Sequence, residues 1–177
     1  MNKPDRHASL CVTVRAVAIV ILLGLAASSN ADAQMRADSA IVMSAKSLIS
    51  EGLSDSAIRL ITVALDADSS NIMLLFSLAD AQSVAGKKQA RRSTLERILR
   101  IHKRSVPARI ELVEDFFSAK QFDSAAYFAN EAAINSGGSS AEAYYWLART
   151  HERAGRADSA YSYYLRAWSA RPFEELF

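Results

Sequence analysis

The stretch from residue 141 to 172 constrains the fold most, because it predicts two short amphipathic helices around a tight turn. Side chains with the spacing of one buried helix face recur in each half: Tyr144, Leu147, Ala148 and His151 in the first, and Ala160, Tyr164, Ala167 and Trp168 in the second. Gly155 supplies the turn between the helices, and Pro172 follows the second one. A helix pair this short cannot bury its own apolar face, so several pairs must stack and share a core.

The same pattern recurs upstream at a nearly constant interval. Gly52, Gly86 and Gly155 are separated by 34 and 69 residues, and 69 is two units plus one residue. We expect the extra residue in the Gly/Ser-rich loop 136–140. The register divides the chain into four units, at about 38–71, 72–105, 106–140 and 141–174. An Asp-Ser-Ala sequence begins the second helix of three units, at Asp55, Asp123 and Asp158, where an acidic residue suits the positive helix end.

This spacing resembles the tetratricopeptide repeat (TPR) family. With Ala141 as the first position, eight of the nine positions tested match in residue class, namely Tyr144, Leu147, Ala148, Gly155, Ala160, Tyr164, Ala167 and Pro172. His151 stands where tyrosine is usual, and other units depart from the pattern at Gln82, Arg91, Arg109 and Lys120. The resemblance implies an all-α fold, a TPR-type α-solenoid of about four helix-turn-helix repeats wound into a right-handed superhelix.

In TPR proteins the first helix of each pair lines a concave groove, so the resemblance implies a partner-binding surface there. The corresponding residues here are Val42, Lys46, Ile49, Phe76, Asp80, Val84, Ile110, Glu114, Phe117, Tyr145, Arg149, Glu152 and Arg153. An apolar floor with charges of both signs suits an extended peptide or an amphipathic helix. For the apolar members, packing between helices is an equally good explanation, and for the charged members plain solvation is another. One TPR subtype captures a C-terminal carboxylate with paired asparagines, which the equivalent positions here lack.

A second candidate surface is basic. Its side chains cluster around the second helix of the second unit: Lys87, Lys88, Arg91, Arg92, Arg97, Arg100, Lys103 and Arg104. Leu95, Ile98 and Leu99 supply the buried stripe of that helix, so we expect the charges to project outward on the convex side. Such a run is either a solvated face or a contact for anionic lipid, a polyanion or an acidic protein. Nucleic acid is not an expected partner, because no aromatic residues for base stacking are interleaved.

The N-terminal residues have the order of a secretory signal peptide. Basic residues precede an apolar run, 16–25, and Ala31-Asp32-Ala33 follows, which predicts cleavage after Ala33. The expected division is therefore a signal peptide over 1–33 and a TPR domain over 34–177, in a periplasmic or secreted protein. The alternative is an uncleaved anchor in the inner membrane, although the apolar run is short against the roughly 20 residues of a membrane-spanning helix.

The C-terminal residues 173–177 contain Phe173, Leu176 and Phe177, which either cap the last apolar face or dock on a partner. The composition suits one mainly helical domain, since half of the 177 residues are hydrophobic and the net charge is only +2. The single cysteine, Cys11, lies within the expected signal peptide, so the mature chain has no disulfide.

Nothing in the sequence indicates catalysis. The mature chain keeps His102 and His151 but has no cysteine and no glycine-rich phosphate loop, and neither histidine has a metal-binding partner at helical spacing. We therefore expect no cofactor, no metal and no enzymatic activity. The leading hypothesis is an exported protein–protein interaction scaffold, and the alternative is an envelope-surface binder that acts through the basic helix.

Overall fold

The structure, a computed structural model, describes residues 32–170, and this part of the chain consists of eight α-helices without strands. The helices are α1 (32–50), α2 (Ser54–Ala67), α3 (Ile72–Val84), α4 (Lys88–Ile101), α5 (Val106–Ser118), α6 (Phe122–Asn135), α7 (Ala141–Arg153) and α8 (Ala157–Ser169). The apolar run of the expected signal peptide and the segment 173–177 lie outside the described residues.

The helices form pairs that follow one another in a row. From α2 onward each helix contacts the next one along the chain, and the second helices of the pairs begin 34, 34 and 35 residues apart. The added residue lies in the connection 136–140 between α6 and α7. α1 already includes residue 32, the first described residue, and so extends N-terminally of the start near 38 that the repeat register predicts. The predicted fold class, an all-α solenoid of TPR type, is confirmed.

First and second helices begin in different ways. Three first helices have a side-chain cap: Asn71, Ser105 and Ser140 each accept a hydrogen bond from the backbone N–H three residues later. The second helices α2, α6 and α8 have no such cap but carry an aspartate in the first turn, as the Asp-Ser-Ala pattern predicts. The first helices are thus fixed by caps at the repeat junctions, while the second helices start directly from the turn within each pair.

The turn within each pair contains one residue in the left-handed backbone conformation, with positive φ. At the end of α3, Gly86 has φ +69° and donates its N–H to the Ser83 carbonyl, while Lys87 donates to that of Gln82. Lys120 occupies the equivalent place after α5, with φ +60° and the same pattern of hydrogen bonds to Phe117. It is the one non-glycine residue with positive φ among the described residues. The turn geometry therefore persists in the third repeat without its glycine, at the expense of backbone strain.

The apolar core runs through the row as two connected clusters. The first is built from α1 to α5 and the second from α5 to α7, with alanines such as Ala125, Ala129 and Ala132 letting the helices approach closely. Phe116 and Phe128 pack against both clusters, and their rings stack with centroids 5.4 Å apart. The two clusters are therefore one continuous seam across the repeat boundary.

Polar residues at core positions explain two departures from the TPR pattern. Gln82 is buried and accepts a hydrogen bond from the Thr94 hydroxyl, which joins α3 to α4. Arg109 is buried and donates to the carbonyls of Lys103 and Ser105, so it fastens the loop before α5. One expected core residue is not buried: Trp168 of α8 is 69% exposed, whereas Ala160 and Ala167 of the same predicted stripe are buried.

Replacing Lys120 by glycine should raise the free energy of unfolding by about 0.5–1 kcal/mol. Glycine reaches the left-handed backbone without a Cβ clash, and its greater entropy in the unfolded chain offsets part of that gain. Urea denaturation followed by circular dichroism measures the change. Lys120→Ala is the control, because it removes the charge but keeps the Cβ, and it should give no gain. Equal stabilisation by both variants would attribute the effect to the charge instead of the backbone.

Candidate partner-binding surface

The first helices lie on the inner side of the row in the last two repeats. α5 contacts α7 directly, whereas the second helices α4, α6 and α8 do not contact one another in the described part of the chain. In these two repeats the first helices are therefore closer together than the second helices, which curves this part of the row toward the first helices. We call the solvent-facing side of α1, α3, α5 and α7 the concave face, and that of α2, α4, α6 and α8 the convex face.

On α1 and α3 some of the predicted groove residues pack against the core and others are exposed to solvent. Val42 and Ile49 are half-buried against the first core cluster, while Lys46 is exposed. Phe76 is half-buried, Asp80 is exposed, and Val84 one turn further along α3 is 61% exposed. The α3 side of the concave face thus offers an apolar side chain and a carboxylate to solvent.

On α5 one predicted groove residue belongs to the core instead. Ile110 is only 5% exposed and packs in the second core cluster, so the prediction that it lines the groove is wrong. Its register position turns it toward α6 and α7, which cover it. Glu114 and Phe117 remain on the concave face, the first exposed and the second half-buried.

Aromatic rings surround Arg149 on α7. Its guanidinium donates a 2.8 Å hydrogen bond to the Tyr145 hydroxyl and lies 5.3 Å from the centre of the Phe117 ring. Trp146 contacts both rings edge-on, with centroids 5.4 Å from Phe117 and 6.0 Å from Tyr145. Nearby, the Tyr164 hydroxyl donates to the Glu152 carboxylate at 3.0 Å. The positive charge of Arg149 is therefore held against the protein's own rings, and Tyr145 stays 38% exposed.

Carboxylates from consecutive first helices gather in the middle of the concave face. Although Asp80 and Glu114 keep contact with solvent, partial burial of their carboxyl groups raises the pKa of both, and the Arg91 charge partly opposes each shift. Burial also raises the pKa of Glu111 to about 7, and the charges of Asp80 and Glu114 add to the effect of burial while Arg91 counteracts it. The Glu142 charge on α7 acts on Glu114 in the same direction. Burial is therefore the main cause of the raised pKa at all three carboxyl groups, and repulsion between carboxylates adds to it at Glu111 and Glu114.

Arg91 contradicts the prediction that the basic cluster projects outward. It is only 8% exposed, forms ion pairs with Glu111 at 3.1 Å and with Asp115, and donates to the Glu111 carbonyl. It stands where the TPR pattern has a small residue, so its side chain points into the interface between α4 and α5. Glu111 and Asp115, one helical turn apart on α5, were the signal in the sequence for this partner.

Other members of the basic cluster are also engaged within the protein. Arg92 donates to the Asp115 carbonyl at 2.9 Å and lies 4.4 Å above the Phe116 ring centre. Arg97 donates to the Ser69 carbonyl, and Lys87 pairs with the exposed Asp55 at 2.7 Å. The exposed members without an ion pair in the described part of the chain are Lys88, Arg100, Lys103 and Arg104. They lie at the two ends of α4, so the cluster is not one continuous patch.

The described residues contain no arrangement that indicates catalysis or membrane insertion. The half-buried His151 ring lies 5.2 Å from the Tyr163 ring, and burial lowers its pKa. Within residues 32–170, no three of the histidine, aspartate and glutamate side chains converge as metal ligands. No helix in this range has the length and apolarity that a membrane span requires.

Comparison with solved structures finds similar TPR-like folds. One crystal structure of MamA aligns with a TM-score of 0.68 at 18% identity, covering 79% of this chain and 81% of MamA. A second MamA structure gives 0.65 at 20% identity, covering 75% and 72%. PilF of Pseudomonas aeruginosa gives 0.66 at 14% identity, covering 78% of this chain and 63% of PilF. No sequence-family profile matches the chain, and no curated protein sequence matches it significantly. The TM-scores show a shared, TPR-like fold, and the low identities carry the comparison no further than the fold.

Glu111 should make stability depend on pH. In the folded protein the pKa of Glu111 is raised to about 7, whereas the ordinary pKa of glutamate is 4.5. Folding therefore takes up a proton between these values, and the free energy of unfolding should fall as pH rises from 4.5 to 7. Glu111→Gln should flatten this fall, measured by urea denaturation at several pH values. Glu96→Gln, on the exposed side of α4, is the control and should keep the wild-type slope. An unchanged slope in Glu111→Gln would contradict the assignment.

Proposed function

We propose that this protein is a non-catalytic protein–protein interaction scaffold, exported to the cell envelope, that holds a peptide or helix of a partner along its concave face. The observation that carries the proposal is the exposure of Val84 on α3 and Tyr145 on α7, 61% and 38% respectively. The same face carries the half-buried Phe76 on α3 and Phe117 on α5, the first helix between them. A partner segment with apolar side chains at helical or alternate spacing would cover these groups and remove them from water.

The rigidity of the face favours such binding. Its helices are fixed by the core seam behind them, and α3, α5 and α7 also by side-chain caps at their N-termini, so little backbone entropy is lost when a partner is bound. The TPR-like fold shared with MamA and PilF supports a scaffold role in general terms. Export rests on the signal-peptide pattern of residues 1–33, and a periplasmic or secreted location follows from that pattern.

The second candidate, an envelope-surface binder contacting anionic lipid or a polyanion, rests on the exposed Arg100, Lys103 and Arg104 at the end of α4. The internal contacts of Arg91, Arg92 and Arg97 reduce the charge left for such a surface. The concave face is therefore the favoured surface, and lipid binding is the alternative.

Site-specific photo-crosslinking in cells tests the favoured function. A benzophenone amino acid in place of Val84 or Tyr145 would report the concave face, and the same replacement at Val63 or Tyr127 would report the convex face. These pairs are matched in residue type, and the convex residues are 69% and 62% exposed. We expect covalent adducts with one other protein from the concave positions alone, identified by mass spectrometry. Adducts from the convex positions alone, or equally from all four, would contradict the proposal.

A further inference from the structure

The concave face carries an excess of negative charge at its centre. Asp80 on α3 and Glu114 on α5 are 34 residues apart, so they occupy the same position in consecutive repeats. Glu111 lies one turn before Glu114, and the Asp80 and Glu142 charges act on this pair from the neighbouring first helices. We call Asp80, Glu111 and Glu114 the acidic row; it spans the second and third repeats, and the Glu142 charge acts on it from the fourth.

The cations near this row have other roles. Arg91 lies below the row, buried and paired with both Glu111 and Asp115. Lys46 on α1 acts on Asp80 at one end of the row, and Arg149 at the other end is bound to the Tyr145 hydroxyl and covered by aromatic rings. Arg149 keeps its charge, because a neutral hydroxyl and aromatic rings do not cancel it. The carboxylates still outnumber these three cations and leave the centre of the concave face negative: Asp80, Glu111, Glu114, Asp115 and Glu142.

The carboxylates of the row are in an unfavourable electrostatic environment in the free protein. Asp80, Glu111 and Glu114 are partly withdrawn from water, which raises the pKa of each, and at Glu111 and Glu114 repulsion from neighbouring carboxylates adds to this effect. A cationic side chain arriving from outside would relieve the repulsion and form charge-assisted hydrogen bonds. Exposed apolar groups flank the row, with Val84 on the α3 side and Tyr145 on the α7 side. A ligand that fits both features has basic side chains between apolar ones.

We propose that the partner segment is basic, and that its lysine or arginine side chains bind the carboxylates of Asp80, Glu111 and Glu114 while its apolar side chains cover Val84 and Tyr145. This inference rests on the proposed function, since it assigns a chemical class to the segment held on the concave face. An acidic segment would add repulsion at the same place and is selected against. Electrostatic attraction would also speed the encounter, an effect that salt screens.

Two synthetic peptides test the inference. Both are about 16-residue fluorescein-labelled amphipathic helices with the same leucine positions, and they carry either lysine or glutamate at every polar position. Fluorescence anisotropy with the mature protein measures their affinities at low and at high salt. We expect the lysine peptide to bind at least about tenfold more tightly than the glutamate peptide, and to weaken as salt rises.

Paired variants locate the site. Asp80→Asn with Glu114→Gln removes two charges from the row, and Asp66→Asn with Glu96→Gln removes two exposed charges from the convex face. The first pair should weaken the lysine peptide about tenfold, and the second should leave its affinity within about twofold. Circular dichroism verifies that both variants are folded.

Three outcomes overturn the inference: equal affinity for the two peptides, no binding of the lysine peptide, or equal weakening by both pairs of substitutions. If crosslinks still form from Val84 and Tyr145 in any of these cases, the concave face binds a partner of other chemistry, and the proposed function stands without the inference. If no crosslinks form from the concave face either, the proposed function and the inference are both contradicted.

Discussion

The structure depends on burial of apolar surface that no helix pair can complete alone. Each pair presents one side of its core to the next, and small residues such as Ala125 and Ala129 allow the close approach. The stacked rings of Phe116 and Phe128 join the core of the first repeats to that of the last. Because the seam is continuous, the first helices are held side by side and their outer faces become one surface.

A polar contact between the second and third repeats shapes that surface. Arg91 reaches from α4 under the concave face and pairs with Glu111 and Asp115 of α5. Its burial is tolerated because the partner carboxylates satisfy the charge, whereas removing either partner would leave a buried charge uncompensated. The same contact brings Glu111 next to Asp80 and Glu114. One interaction at a repeat boundary thus links the packing of the scaffold to the electrostatics of its proposed binding surface.

Features set by local sequence could be predicted, and features set by neighbouring helices could not. The interval between Gly52, Gly86 and Gly155 predicted the turns, because each turn needs a left-handed residue, and at Lys120 the turn persists without glycine. The outward direction of Arg91 and the exposure of Ile110 were predicted from one helix at a time. Their burial depends on which side chains the adjoining helices supply: acids beside Arg91, and apolar groups around Ile110. The charge of the concave face was visible only once Asp80, Glu111 and Glu114 were placed together.

The most direct test of the shared core compares a fragment with the chain from residue 34 to 177. A peptide spanning residues 141–170 contains both helices of the last pair, α7 and α8. Its helix content and unfolding would be followed by circular dichroism under the same conditions as those of the intact protein. If the pairs depend on one another for burial, the peptide should be largely unfolded while the intact protein is helical and unfolds cooperatively. A peptide with the same helix content per residue, and a cooperative transition of its own, would contradict the account.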